Sequence, residues 1–178
     1  SWSERQRRDL TYSRAAKNAV RVVIESQTGK DDLVRFYGIP AEKIRVIPLY
    51  PPTQTSGYAE MDKPTAGDIL KRFHLPEGFI FYPAQFWYHK NHVRLMQALH
   101  SLKSRGTTVP VVLTGSSTST YSFQDVQKVS RELNIEDQVL YLGYVSDEEI
   151  VALYKKAVAL VFPSLIGPTN IPILEAMS

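Results

Sequence analysis

The sequence predicts an α/β protein built on a parallel sheet. Short runs of branched apolar residues recur along the chain, helical patterns fall between them, and the runs are apolar without alternation. A strand covered on both faces needs apolar side chains on both, so continuous runs point to a parallel sheet flanked by helices. Regular alternation of strand and helix then selects the α/β class.

The elements follow in order. Strands are expected at residues 20–25 (VRVVIE), 44–49 (IRVIPL), 79–84 (FIFYPA), 109–114 (VPVVLT), 139–142 (VLYL) and 159–163 (ALVFP). Helical patterns cover residues 29–37, 90–105, 122–133 and 146–156. Ser122 and Asp125 suit the N-cap and first turn of the third helix. Ser146-Asp147-Glu148-Glu149 opens the fourth with a capping box, Glu149 standing three residues after Ser146. Residues 50–67 are polar, hold Pro51, Pro52 and Pro64, and show no period. So long a structureless run is uncommon inside a compact domain. Residues 51–67 are therefore read as an interlobe linker between a first lobe ending at residue 50 and a second lobe from 68 to 178. A last helix begins near Pro172, so the chain is expected to be incomplete at its end, and at its start as well.

Composition bounds the function. With 178 residues the chain holds one large domain, or one domain and part of another. Hydrophobic residues at 43% and charged residues at 22% are ordinary for a globular protein. No run approaches the roughly 18–20 apolar residues that cross a bilayer, and the N-terminus lacks the apolar core of a secretory signal. Cysteine is absent, which excludes disulfide scaffolds and thiolate metal sites and fits a cytoplasmic location. The net charge of +3 is spread along the chain, apart from Arg5, Arg7 and Arg8. Nucleic acid, which calls for a dense basic stripe with interleaved aromatics, is not an expected partner. A mildly basic surface suits phosphorylated ligands, or peripheral contact with an anionic membrane.

Ligands of an open parallel sheet bind beyond the carboxyl ends of its strands. Four segments fall there: 85–91, 115–120, 143–146 and 164–175. In the last, a strand leads into a turn with Gly167 and Pro168, and Thr169 or Asn170 stands ahead of a helix with Pro172 in its first turn. Backbone N–H groups and the helix dipole make such a start an anion site. Glu175, in the helix's first turn or so, is placed to accept two hydrogen bonds from a vicinal diol such as a ribose. Taken alone, the segment reads rather as a capped helix whose glutamate offsets the dipole. Lys90 opens a helix six residues after a strand end, where its charge is mildly unfavourable but can reach a diphosphate. His89 and His92 lack a third partner at metal-ligand spacing, and no metal site is expected. Gly115 and Ser116 begin a small-residue loop that can approach a nucleotide closely but is not a Walker loop.

Together these segments resemble the retaining glycosyltransferases of family four, the group 1 glycosyltransferases, which share a fold of two facing Rossmann-like lobes. Residues 25–27 through 38–48 look like the closing strand-helix-strand of the first lobe. Residues 82–91 look like the loop that grips the donor diphosphate, 139–146 like the segment against the nucleobase, and 161–177 like the family signature of two glutamates flanking seven residues. The resemblance implies a nucleotide-sugar donor lobe, incomplete at its C-terminus. Lys90 would hold the diphosphate and Glu175 the ribose. Thr169, Asn170 and Ile171 would donate backbone N–H groups to phosphate and sugar, and Tyr144 and Val145 would flank the base.

Two positions depart from the family. Gln85 replaces the family's arginine, and Gly167 stands where the first glutamate is expected. This version of the motif is similar to bacterial surface-polysaccharide transferases. The implied activity is transfer of a hexose, mannose or rhamnose for example, from a nucleoside diphosphate sugar with retention, without cofactor or metal. The acceptor, a glycan or lipid-linked sugar, would bind through the missing lobe, so the isolated chain is expected to be inactive. A nucleotide-sugar epimerase of the same fold and a non-catalytic partner subunit are the alternatives.

Overall fold

The structure is a computed structural model that describes residues 2–50, 66–117, 123–167 and 170–178. The chain divides into two compact units, Ser1–Tyr50 and Pro51–Ser178. Both have the expected α/β character, with parallel strands and flanking helices. Among the described residues no helix is long and apolar enough to cross a membrane.

The first unit runs α1 (Trp2–Asn18), β1 (Val22–Ile24), α2 (Gln27–Tyr37), a 3-10 turn (Ala41–Lys43) and β2 (Ile44–Val46). β1 and β2 are parallel, with Val22 opposite Ile44 and Ile24 opposite Val46. α2 starts two residues earlier than its apolar pattern because Ser26 caps it, accepting from the Gly29 N–H at 3.1 Å. Gly38, at φ 62°, ends it with the N–H of Gly38 on Val34 O and that of Ile39 on Leu33 O. Only a residue free to turn left-handed closes the helix this way. α1 was not among the expected elements. Its surface is polar almost all round, so no apolar stripe marks it. The Tyr37 hydroxyl donates to Asp9 Oδ1 at 3.0 Å and ties α1 to α2.

The second unit runs α3 (Ala66–Arg72), β3 (Ile80–Pro83), a 3-10 turn (Tyr88–Lys90), α4 (His92–Lys103), β4 (Val111–Thr114), α5 (Phe123–Glu132), a 3-10 turn (Glu136–Gln138), β5 (Val139–Tyr141), α6 (Asp147–Lys156), β6 (Ala159–Leu160) and α7 (Ile171–Met177). Its four strands stand in the order β5-β4-β3-β6, every neighbouring pair parallel. α3 begins inside the stretch expected as linker, at Ala66; residues 51–65 and Ser122 lie outside the described residues. The helix expected over 90–105 is two pieces. Asn91 sits at φ 60°, which breaks the α-helical path, so Lys90 closes a 3-10 turn and α4 starts at His92.

Side chains alternate across the sheet and build a core on each face. Tyr82, Val111 and Leu113 join Phe86, Leu95, Met96, Leu99, Val126 and Ile135 beneath α4 and α5. Phe79, Phe81 and Val112 join Val145 and Leu153 on the other face, with Leu70 of α3, Phe73 just after it, and Ile150 and Tyr154 of α6 packed against them. The strand runs are apolar throughout because both faces are covered.

Candidate functional site

Strand order places the site. Successive strands step outward from β3 to β5, and the chain then returns to lay β6 on the other side of β3. The order therefore reverses between β3 and β6, and a crevice opens beyond the carboxyl ends of strands at such a reversal. The loops that leave β3 and β6 meet there.

They are stitched together by backbone groups. Leu165 N donates to His89 O at 2.8 Å, and Asn91 Nδ2 donates to Pro163 O at 3.0 Å. The Ser164 hydroxyl donates to Ile166 O at 2.8 Å, with His89 O at 3.3 Å as the longer, alternative acceptor of its one proton. Beneath them Tyr82, wholly buried, donates its hydroxyl to Lys90 O at 2.7 Å. Burial raises the Tyr82 pKa, so the phenol remains a donor. Lys90 is thus fixed by its backbone. Its ammonium lies 5.8 Å from the centre of the Phe162 ring, across the β3–β6 crevice.

A second set of contacts joins the loops after β3, β4 and β5. Gly115 N donates to Gly143 O at 2.9 Å, and the Tyr141 hydroxyl donates to Gly115 O at 2.8 Å. A Cβ on Gly115 would lie 2.6 Å from Ala84 O, and its φ is +136°. Gly115 therefore approaches the protein's own backbone closely. Ser116 N donates to Gln85 Oε1 at 3.0 Å. Gln85 is thus a brace between two loops.

Beyond β5, Tyr144 is exposed, while Val145 is 7% exposed and packs its side chain into the core with Phe79 and Leu153. Asn170 is the N-cap residue of α7 at φ 48°, its side chain making no cap hydrogen bond, and Ile171 is the first helical residue. Thr169 and Pro168 lie outside the described residues. A Cβ on Gly167 would run into Asn170 Oδ1, so the asparagine side chain fills the space above the glycine.

Glu175 stands in the second turn of α7, later than expected, and is half-buried. Its Oε2 accepts a hydrogen bond from the Tyr154 hydroxyl of α6 at 2.7 Å. Tyr154 packs edge-on against Phe81, 5.1 Å between ring centres. Burial and the Glu175 carboxylate both raise its pKa, which keeps the phenol protonated. Sequence reading missed Tyr154 because an aromatic on the apolar side of an amphipathic helix looks like any core residue.

The two histidines of the loop part company. His92 is 2% exposed, stacks on Phe86 with ring centres 4.5 Å apart, and leaves both ring nitrogens without a hydrogen-bond partner among the described residues. Burial, aided by the Lys90 charge, lowers its pKa to about 4. It is a neutral core ring. Among the described residues no three histidine, aspartate or glutamate side chains converge as a cation site.

The comparisons with known proteins agree with this geometry. Residues 71–178 match the profile of the family described as glycosyl transferases group 1. The O-antigen chain mannosyltransferase RfbU of Salmonella typhimurium is 28% identical over 164 residues, covering 92% of this chain and 41% of that protein. The chain thus spans about two fifths of that relative's length. A glycosyltransferase structure from Rickettsia africae superposes with a TM-score of 0.79 at 20% identity, over 93% of this chain and 45% of that one. Anabaena HepE, solved in complex with UDP-glucose, superposes at 0.72 and 20% identity, over 92% of this chain and 43% of that one. These structures carry the fold, and the family profile covers the strands, loops and helices that build the crevice. On that match the chain belongs to the glycosyl transferases group 1 family.

Proposed function

We propose that the chain is the nucleotide-sugar donor lobe, with the end of the acceptor lobe, of a hexosyltransferase that builds a surface polysaccharide. The observation that carries the reading is the meeting of Lys90 and Asn91 with Phe162 and Pro163 at the strand-order reversal. A cation fixed by its backbone there is placed to stabilise the charge that develops on a departing diphosphate. Glu175 faces the ribose diol in this reading, Asn170 and Ile171 offer backbone N–H groups to phosphate and sugar, and Thr169 belongs to the same stretch. Tyr144 and the Val145 backbone border the base, and Gly115 and Ser116 border the phosphates. The transfer proceeds with retention at the anomeric carbon, the family's expected outcome. The O-antigen relative supports mannose as the sugar and a glycan or lipid-linked acceptor, and HepE supports a nucleoside diphosphate sugar as donor.

The test is a titration of GDP, UDP, dTDP and ADP into the protein, followed by ligand-observed NMR. One diphosphate is expected to bind selectively, with Lys90→Ala and Glu175→Ala each weakening it by about 1–3 kcal/mol, the range for losing a charged hydrogen bond. Lack of binding by every diphosphate to the full-length protein would sink the proposal. Acceptor groups come from the other lobe, so the 178-residue chain by itself is expected to transfer no sugar.

A further inference from the structure

The hydrogen bond from Tyr154 to Glu175 joins a core aromatic of α6 to the carboxylate of the candidate site. We infer that Tyr154 is a positioning residue that fixes the rotamer of Glu175, and thereby sets the preference of the site for ribonucleotides over nucleotides lacking the ribose diol. The inference rests on the proposed placement of Glu175 against the ribose.

Glu175 sits in the second turn of a seven-residue helix and has three side-chain torsions to settle. Two hydrogen bonds to neighbouring hydroxyls form together only when the carboxylate plane is held at one angle. Tyr154 supplies the hold. Its ring is set by the edge-on contact with Phe81, which is wholly buried in the sheet. Its hydroxyl reaches Oε2 at 2.7 Å, the usual length for an O–H donor. An ionised carboxylate offers about four lone-pair sites on its two oxygens. Tyrosine occupies one, and among the described residues none donates to Oε1, which is left for a ligand hydroxyl.

The hydrogen bond also has a direction that suits the role. A phenol donates to the carboxylate without neutralising it, so the charge that strengthens a bond from ribose is retained. A lysine or arginine at the same place would compete for that charge. The chain Phe81–Tyr154–Glu175 therefore runs from the rigid sheet to the ligand-facing atom, with one rotatable partner at each step.

The experiment uses the full-length protein and four probes: GDP, UDP and the 2′,3′-dideoxy form of each. Wild type is expected to bind the better-binding ribonucleotide at least about tenfold more tightly than its dideoxy counterpart, the size of one charged hydrogen bond. Tyr154→Phe keeps the ring on Phe81 and removes only the hydroxyl. It is expected to cut that preference by at least about threefold through weaker ribonucleotide binding, with dideoxy binding unchanged. Glu175→Ala is expected to abolish the preference, and Lys90→Ala to weaken both forms equally. An unchanged preference in Tyr154→Phe overturns the positioning role, as does an equal loss for both forms, which marks a merely structural residue. If wild type binds both forms alike, the placement of Glu175 on the ribose is wrong, and the inference falls with it.

Discussion

Ser116 donates its backbone N–H to Gln85 Oε1 at 3.0 Å, an acceptor that an arginine in the same place, with only donors to give, would not offer. The loops that follow β3 and β4 are joined by this bond and by the approach of Gly115 to Ala84.

Replacing Gln85 with leucine removes the acceptor and strands a half-buried N–H. The expected cost is about 1–2 kcal/mol, below the full penalty because the site is not sealed from water. Gln85→Glu keeps an oxygen in place and is expected to cost less. Urea unfolding of the two variants beside the wild type measures the difference, and equal midpoints would show that the brace carries no stability.

Gly115 is held more tightly. Its φ is +136°, and Ala84 O lies only 2.6 Å from where a Cβ would stand. An alanine is therefore strained by its backbone angle and blocked by backbone that cannot swing aside. Gly115→Ala is expected to destabilise the chain by about 2 kcal/mol or more. Gly106 is also at positive φ, +83°, but a Cβ there meets nothing within 4 Å. Gly106→Ala carries only the angular strain and is expected to cost less by thermal unfolding.

Much of this was legible beforehand, and the misses share a cause. The four strands of the second unit declared themselves because their residues are apolar on both faces, and the box at Ser146 because its chemistry is local. α1 escaped because a polar helix has no stripe, and the break at Asn91 because only a backbone angle records it. Lys90 and Glu175 were singled out by their places after a strand end and in a helix start, and the family resemblance then implied their roles. What lies behind them was not legible: the Tyr82 hydroxyl under Lys90 O and the Tyr154 hydroxyl on Glu175 join residues apart in the chain, through side chains whose apolar bodies look like core. The bracing role of Gln85 was hidden for the same reason, since its partner is a backbone group 31 positions away.

His92 gives the protein an acid-sensitive point. Its pKa is about 4 when folded and 6.5 when free, because burial and the neighbouring Lys90 charge both disfavour imidazolium. Between those values the unfolded chain binds more protons than the folded one, so stability falls as pH drops from 6.5 toward 4. The full loss is about 3 kcal/mol. His92→Phe keeps the ring stacked against Phe86 and Tyr82 and leaves no nitrogen unpaired. That variant is expected to lack this part of the slope in unfolding curves taken at about pH 4.5, 5.5 and 7. An unchanged slope would place the acid sensitivity elsewhere.

Glu149 serves two partners at once. Its carboxylate accepts from the Ser146 N–H at 2.6 Å to complete the cap of α6, and it pairs with Arg72 at the end of α3. A capping interaction is worth about 1 kcal/mol. The arginine side chain is 59% exposed, so solvent holds its pairing to about 1 kcal/mol or less. Ser146→Ala is therefore expected to cost about 1 kcal/mol, Arg72→Ala less, and Glu149→Ala more than either. The two smaller effects should add, because an alanine at 146 keeps the backbone N–H that holds the Glu149 carboxylate toward Arg72 and removes only the hydroxyl that accepts from the Glu149 N–H. A double-mutant cycle on Ser146 and Arg72, read by urea unfolding, tests this. A coupling clearly different from zero would mean that the Ser146 hydroxyl also helps to hold Glu149 against Arg72.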